Sequence, residues 1–187
     1  IWRDAAKWDF LCELMGSVCW GSLDYLLVDL PPGTGNEAIS IIELIGRVDG
    51  SVIVTTPQDV VLMDVKKAVY FSRDSNVPIV GIVENMSSLI CPHCSKQVDV
   101  FKTGGGEKIC RELGVPFLGK IPLDPGITEK CDHGEAFVAA YPDSAAAKAF
   151  DEIVKKCEEF VKTPKKRTSQ DYRIQRGSFP GQGAGRP

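Results

Sequence analysis

The chain has 187 residues, 43% apolar and 25% charged, enough for one α/β domain with a sizeable core, and no apolar run reaches the roughly 18 residues of a membrane-spanning helix. Its net charge of −3 hides a split: six basic residues and one acid from Thr163 onward leave −8 on residues 1–162. An acidic body gives no electrostatic basis for binding nucleic acid, and seven cysteines, an odd number, argue against a disulfide scaffold and for a reducing, cytoplasmic setting.

The opening carries Trp2, Trp8, Phe10, Leu11 and Leu14, an amphipathic stretch with no strand before it, no initiator Met and no secretory pattern. It is expected to belong to the C-terminal part of a longer chain. Four short apolar runs come next: Tyr25–Leu30, Ser51–Thr55, Pro78–Val83 and Pro116–Ile121. Each is nearly continuous rather than alternating, as strands buried on both faces of a parallel sheet are. Helical segments are expected between them at Glu37–Val48, Val60–Ser72 and Glu107–Leu113. Ser95–Val100 reads as extended. Ser144–Val161 is the clearest helix, with Phe150, Ile153, Val154, Cys157, Phe160 and Val161 at helical spacing and Pro164 as its stop. The alternation predicts an α/β fold, a mostly parallel open sheet with helices on both faces, incomplete at the N-terminus. Residues 1–162 form the folded unit, and residues 163–187, rich in Gly, Pro and Arg, a disordered basic tail.

The densest motif is Asp29-Leu30-Pro31-Pro32-Gly33-Thr34-Gly35-Asn36, between a strand and a helix. Ligands of open α/β sheets bind at the carboxyl ends of strands. A carboxylate leaving an apolar strand can hold a Mg²⁺-bound water, and glycine N–H groups can take a phosphate. The bland alternative is a rigid turn capped by Asp29. A phosphate loop of the form Gly-x-x-x-x-Gly-Lys-Ser/Thr is absent. The other glycine run, Thr103-Gly104-Gly105-Gly106-Glu107-Lys108, has the wrong spacing and reads as a flexible hinge into a helix.

Cys91-Pro92-His93-Cys94 lies in a polar segment between the third and fourth runs. Two thiolates at this spacing can grip one metal ion or one edge of a cluster. There is no second Cys-x-x-Cys. A redox pair, a zinc knuckle completed elsewhere, a site shared across a two-fold dimer and a pair of free cysteines all remain open on spacing. A redox pair of thioredoxin type would sit directly between a strand and a helix, which Asn85–Ile90 and Ser95–Val100 do not suggest. Cys110 and Cys157 read as core, and His93 and His133 as polar loop residues.

Together these segments resemble the Mrp/ApbC-type iron–sulfur cluster carriers, MinD/ParA-like deviant P-loop ATPases. The match runs from about Asp24 to Val161 through Leu26–Gly35, Val54–Gln58, Gly81–Ser87, Cys91–Cys94, Gly104–Glu107 and Gly119–Asp124. The resemblance implies that Asp29 is the catalytic acidic residue, its carboxylate near Mg²⁺ and the attacking water. It makes Gly33 the switch glycine sensing the γ-phosphate, Asn85 the reader of the adenine edge, and Pro122 and Leu123 the loop beside the base. Cys91 and Cys94 become ligands of a [4Fe–4S] cluster shared across a homodimer or paralogue heterodimer. The implied activity is slow ATP hydrolysis coupled to handing the cluster to apo-proteins, with no nucleic acid and no membrane as partner. Two departures stand out. The P-loop half with its lysines is missing, and Asn36 replaces the family's Asp. Segments before Leu23 match poorly. A non-enzymatic dimer storing a cluster or zinc is the alternative, and a partition-type ATPase a more distant one.

Overall fold

The computed structural model describes residues 4–90, 94, 97–101 and 104–163. The expected tail beyond 163, along with Cys91 and His93, lies outside the described residues.

Helix α1 (Asp4–Ser17) is followed by α2 (Asn36–Ile45), β1 (Ser51–Thr55), α3 (Asp59–Asp74) and the long strand β2 (Ile79–Ile90). Then come β3 (Gln97–Val98), α4 (Gly105–Leu113), β4 (Phe117–Leu123), α5 (Pro125–Asp132), α6 (Phe137–Ala140) and α7 (Ala145–Lys162). β2 is the spine of the sheet. β1 and β4 both pair with it in parallel, and β3 returns antiparallel to its far end through Leu89↔Val98 and Ile90↔Gln97.

The two faces of β2 explain the layers, because successive side chains point to opposite sides. Ile82 joins Ile53, Val65, Val69, Ile109 and Cys110 beneath α3 and α4. Its neighbour Val83 joins Val80, Leu118, Ile121 and Ile153 beneath α7. The expected α/β architecture with helices on both faces is therefore present. Local chemistry sets the helix starts. The Ser144 hydroxyl accepts from the Ala147 N–H at the start of α7. At α5 the Asp124 carboxylate accepts from Gly126 N–H at 2.9 Å, with Pro125 in the first turn.

Two sequence expectations need correction. Tyr25–Leu30 is not a strand: its backbone joins no ladder and its side chains are exposed, Leu27 to 91%. A strand of this kind needs a hydrogen-bonded neighbour along an edge and packed layers over both faces. Among the described residues nothing pairs with this run, β1 pairs with β2 alone, and one face of β1 is uncovered at Val52 and Val54. The run carries the composition of a central strand without the surroundings that would make it one. Second, the strand expected to end at Val83 continues to Ile90, through residues whose polarity suggests a loop. Glu84, Ser87 and Ser88 are polar yet buried, which is why polarity misleads there.

Candidate functional site

Parallel strands deliver their carboxyl ends to one edge of the sheet. β2 and β4 bring three of the expected site residues together there. Asn85 is in register with Ile121, so Pro122 and Leu123 follow immediately alongside, and Leu89 is in register with Leu123. The register slips between Asn85 and Leu89, which marks a bulge. Within it Met86 has φ +54°, and Asn85 Oδ1 accepts from the Met86 N–H at 2.9 Å. Left-handed backbone at a non-glycine residue costs roughly 1 kcal/mol or more. The buried Ser87 hydroxyl holds the far side of the bulge by donating to Ile121 O at 3.2 Å. With Oδ1 engaged by the Met86 N–H, the Asn85 amide nitrogen is the group left for an outside acceptor.

Asp29 and Gly33 lie on a separate exposed turn. Gly33 has φ +103°, a conformation that favours glycine. Among the described residues no ladder or hydrogen bond joins this turn to the Asn85 strand end. At its far side Glu37, in the first turn of α2, pairs with Lys7 of α1. The Lys7 ammonium is the main reason the Glu37 carboxyl is held below its ordinary range.

Beyond Asn85, β2 runs out toward the cysteines. Cys94 sits in an exposed turn between β2 and β3, while Cys91 lies outside the described residues. The strand therefore runs up to the residue before the pair, unlike the separation expected from sequence. The next described element, β3, is a strand, whereas a redox pair of thioredoxin type opens a helix. Among the described residues no group of three or more His, Cys, Asp or Glu is arranged to hold a metal. His133 faces the backbone, its Nδ1 2.7 Å from Glu129 O.

The glycine run is not a hinge. Gly104, at φ +81°, caps α4. A Cβ on Gly105 would sit 2.7 Å from Pro57 O, and one on Gly106 would sit 3.0 Å from Glu84 Oε2. The run lets the first turn of α4 lie directly against the ends of β1 and β2. Gly105→Ala is expected to destabilise the protein by about 2 kcal/mol or more, since the obstacle is backbone. Thermal unfolding should show Tm lowered by roughly 4–8 °C. An unchanged Tm would return the run to the hinge reading.

Sequence reasoning assigns no separate role to Glu84, although a single acid directly after the apolar run Gly81-Ile82-Val83 is a visible signal. Glu84 is fully buried, and its Oε2 accepts from Gly106 N–H at 2.7 Å. Its Oε1, like Thr56 Oγ1, is buried without a hydrogen-bond partner among the described residues. Met86 likewise has no role on sequence grounds, because a left-handed backbone at methionine has no single-sequence signature.

With this geometry in place, comparison with known proteins is informative. A family model described as ParA, NUBPL iron-transfer P-loop NTPase, matches residues 1–158. An iron–sulfur cluster carrier protein of Methanocaldococcus jannaschii is 47% identical over 165 residues, which is 88% of this chain and 56% of that protein. The chain thus spans little more than half the length of this curated relative. Among solved structures, a nucleotide-binding protein from Archaeoglobus fulgidus in complex with ADP is 35% identical, with TM-score 0.62 over 70% of this chain and 53% of that one. The septum site-determining protein MinD of Pyrococcus horikoshii, complexed with Mg-ADP, is 25% identical, with TM-score 0.62 over 84% of this chain and 59% of the other. The α/β sheet, the paired ends of β2 and β4 and the match along most of the sequence give one conclusion: the chain belongs to the ParA-type family of iron-transfer P-loop NTPases.

Proposed function

We propose that this chain is the cluster-handling part of an iron–sulfur carrier. Cys91 and Cys94 from each of two copies hold a [4Fe–4S] cluster as cargo and release it to apo-proteins. The observation that carries the reading is the placement of Cys94 on an exposed turn at the end of the same strand that holds Asn85. An exposed thiolate can take up and surrender a metal, as a buried one cannot. Four ligands complete a cluster, and two per chain suffice when a two-fold axis brings two copies together.

Asn85, Pro122 and Leu123 form the adenine edge in this proposal. Leu89 lies opposite Leu123, two residues past the partner of Asn85, so at about 3.3 Å per residue the end of β2 lies roughly 10 Å beyond Asn85. A shift of the strand end on nucleotide binding would therefore be felt directly in the cysteine hairpin. Asp29 is the acidic residue by the attacking water, and the Gly33 N–H faces the γ-phosphate. Mg²⁺ usually keeps several waters and takes one or two carboxylates together with phosphate oxygens. The single exposed carboxylate of Asp29 fits that role, supplying an outer partner and no cage. Bound there, Mg²⁺ would offset phosphate charge.

The test is anaerobic reconstitution with iron and sulfide. Uptake of iron with a broad absorbance near about 400 nm is expected, followed by its loss when an apo iron–sulfur protein is added. No iron retained after desalting would end the carrier reading. The whole protein should transfer its cluster at different rates with and without ATP. Equal rates would leave a storage dimer without nucleotide control.

A further inference from the structure

We propose that Glu84 is a positioning residue that closes the base of the cysteine hairpin by clamping the first turn of α4 to β2. The inference rests on the carrier reading for its functional consequence, but its structural content stands apart from it.

The chain leaves Glu84 along β2, passes through Cys91 and Cys94, turns back at β3 and enters α4. The return point is Gly106, 22 residues later, whose N–H donates to Glu84 Oε2 at 2.7 Å. One buried hydrogen bond therefore joins the two feet of an excursion that carries both cysteines. Such a bond matters more than an average one. Its donor is an N–H at a helix N-terminus, where the aligned peptide dipoles favour an acceptor. Its acceptor is a carboxylate side chain with no exposed surface, where a hydrogen bond is electrostatically stronger than in water.

The surroundings are shaped for this contact. Gly105 admits the Pro57 carbonyl, and a methyl on Gly106 would meet Glu84 Oε2 at 3.0 Å and Phe117 Cε2 at 3.2 Å. Above the clamp, β4 supports the outgoing arm at Leu89↔Leu123, while among the described residues the returning arm has two register pairs with β2, Leu89↔Val98 and Ile90↔Gln97. Backbone pairing that short is marginal alone, so the returning arm depends on its foot at α4. Asn85 is the next residue after the clamp, and the same bond thus ties the proposed adenine edge to the cysteine hairpin.

The experiment compares wild-type chain with Glu84→Gln and Glu84→Met by hydrogen exchange, with and without reconstituted iron. Gln keeps an acceptor for Gly106, while Met fills similar volume and offers none. In Glu84→Met the amides of residues 105–108 and 97–101 should exchange about tenfold faster, and a chelator should strip iron several-fold faster. Glu84→Gln should stay near wild type in both. A role in packing alone would leave Met close to wild type, and unchanged exchange in Met overturns the clamp. Faster exchange with unchanged iron loss overturns its bearing on the cysteines. If Glu84→Met does not fold, Gly106→Ala parts the same pair from the helix side, and the same acceleration is required of it. Should wild-type chain take up no iron, the carrier reading fails, and exchange alone decides the clamp.

Discussion

Replacing both Cys91 and Cys94 by serine is expected to abolish iron uptake on reconstitution, leaving about a tenth or less of the wild-type iron. A serine hydroxyl is a hard, neutral donor at neutral pH, whereas iron–sulfur clusters are held by soft thiolates. The other cysteines are poor substitutes. Cys110 is 4% exposed, and its thiol is pushed up to about 11, first by burial and then by the carboxylates of Glu107 and Glu84. At pH 7 only about one such thiol in ten thousand is ionised. Burial also pushes the Cys157 thiol up. Cys12, Cys19 and Cys131 stand alone on or beside α1 and α5, and none has a second cysteine three residues away. Single replacements leave one sulfur per chain, or two per dimer, and should hold iron too weakly to survive desalting. Iron analysis after anaerobic gel filtration measures this. A double variant that retains wild-type iron would move the site elsewhere and remove the basis of the carrier reading.

The same residues show which parts of the molecule a sequence can disclose. Ser51–Thr55 is visible because β-branched residues crowd into a short run between Gly50 and Pro57, and β1 spans those residues. α7 is visible because a long apolar stripe meets a capping serine at one end and a proline after the other. β2 reads short in sequence because Glu84, Asn85, Ser87 and Ser88 look like loop. Two of them are held by partners distant in sequence, Gly106 for Glu84 and Ile121 for Ser87. Tyr25–Leu30 reads as a strand because composition records what a segment is suited to, while pairing requires a neighbour on the sheet. Of the site, Asn85, Pro122 and Leu123 converge through parallel register, which follows from the order of the strands. The left-handed Met86 and the close approach at Gly105 depend on where backbones meet, and no local pattern encodes that. α5 carries a signal that a search for apolar runs passes over, since Asp124-Pro125 is a cap followed by a proline in the first turn.

Mg·ATP is expected to bind this 187-residue chain no more tightly than about 1 mM. A dissociation constant of 1 mM corresponds to about 4.1 kcal/mol. The proposed adenine edge offers one side-chain amide at Asn85, a net hydrogen bond of about 1 kcal/mol. Contact of the base with Pro122 and Leu123, which the structure places at the end of β4 and not in a loop, would add roughly 1–3 kcal/mol for about 40–120 Å² of apolar surface buried. That total falls short of or just reaches the threshold before any phosphate is placed. The phosphates would ordinarily make up the difference, through lysine and a nest of backbone N–H groups. The chain has no Gly-x-x-x-x-Gly-Lys-Ser/Thr sequence. Its one triple-glycine run is already in use, with the Gly106 N–H given to Glu84 and Gly105 packed on Pro57. Lys7, the lysine that reaches the helix after the Asp29–Asn36 turn, is engaged by Glu37. Among the described residues, what remains for the triphosphate is the exposed Gly33 turn, working in water, where each interaction is weakest. Titration calorimetry decides the matter. Heat fitting a dissociation constant tighter than about 50 μM, roughly 6 kcal/mol, would mean that this chain holds phosphate donors that its sequence and packing do not reveal. Binding at millimolar strength or weaker would place the control of cluster release in the P-loop half of the family.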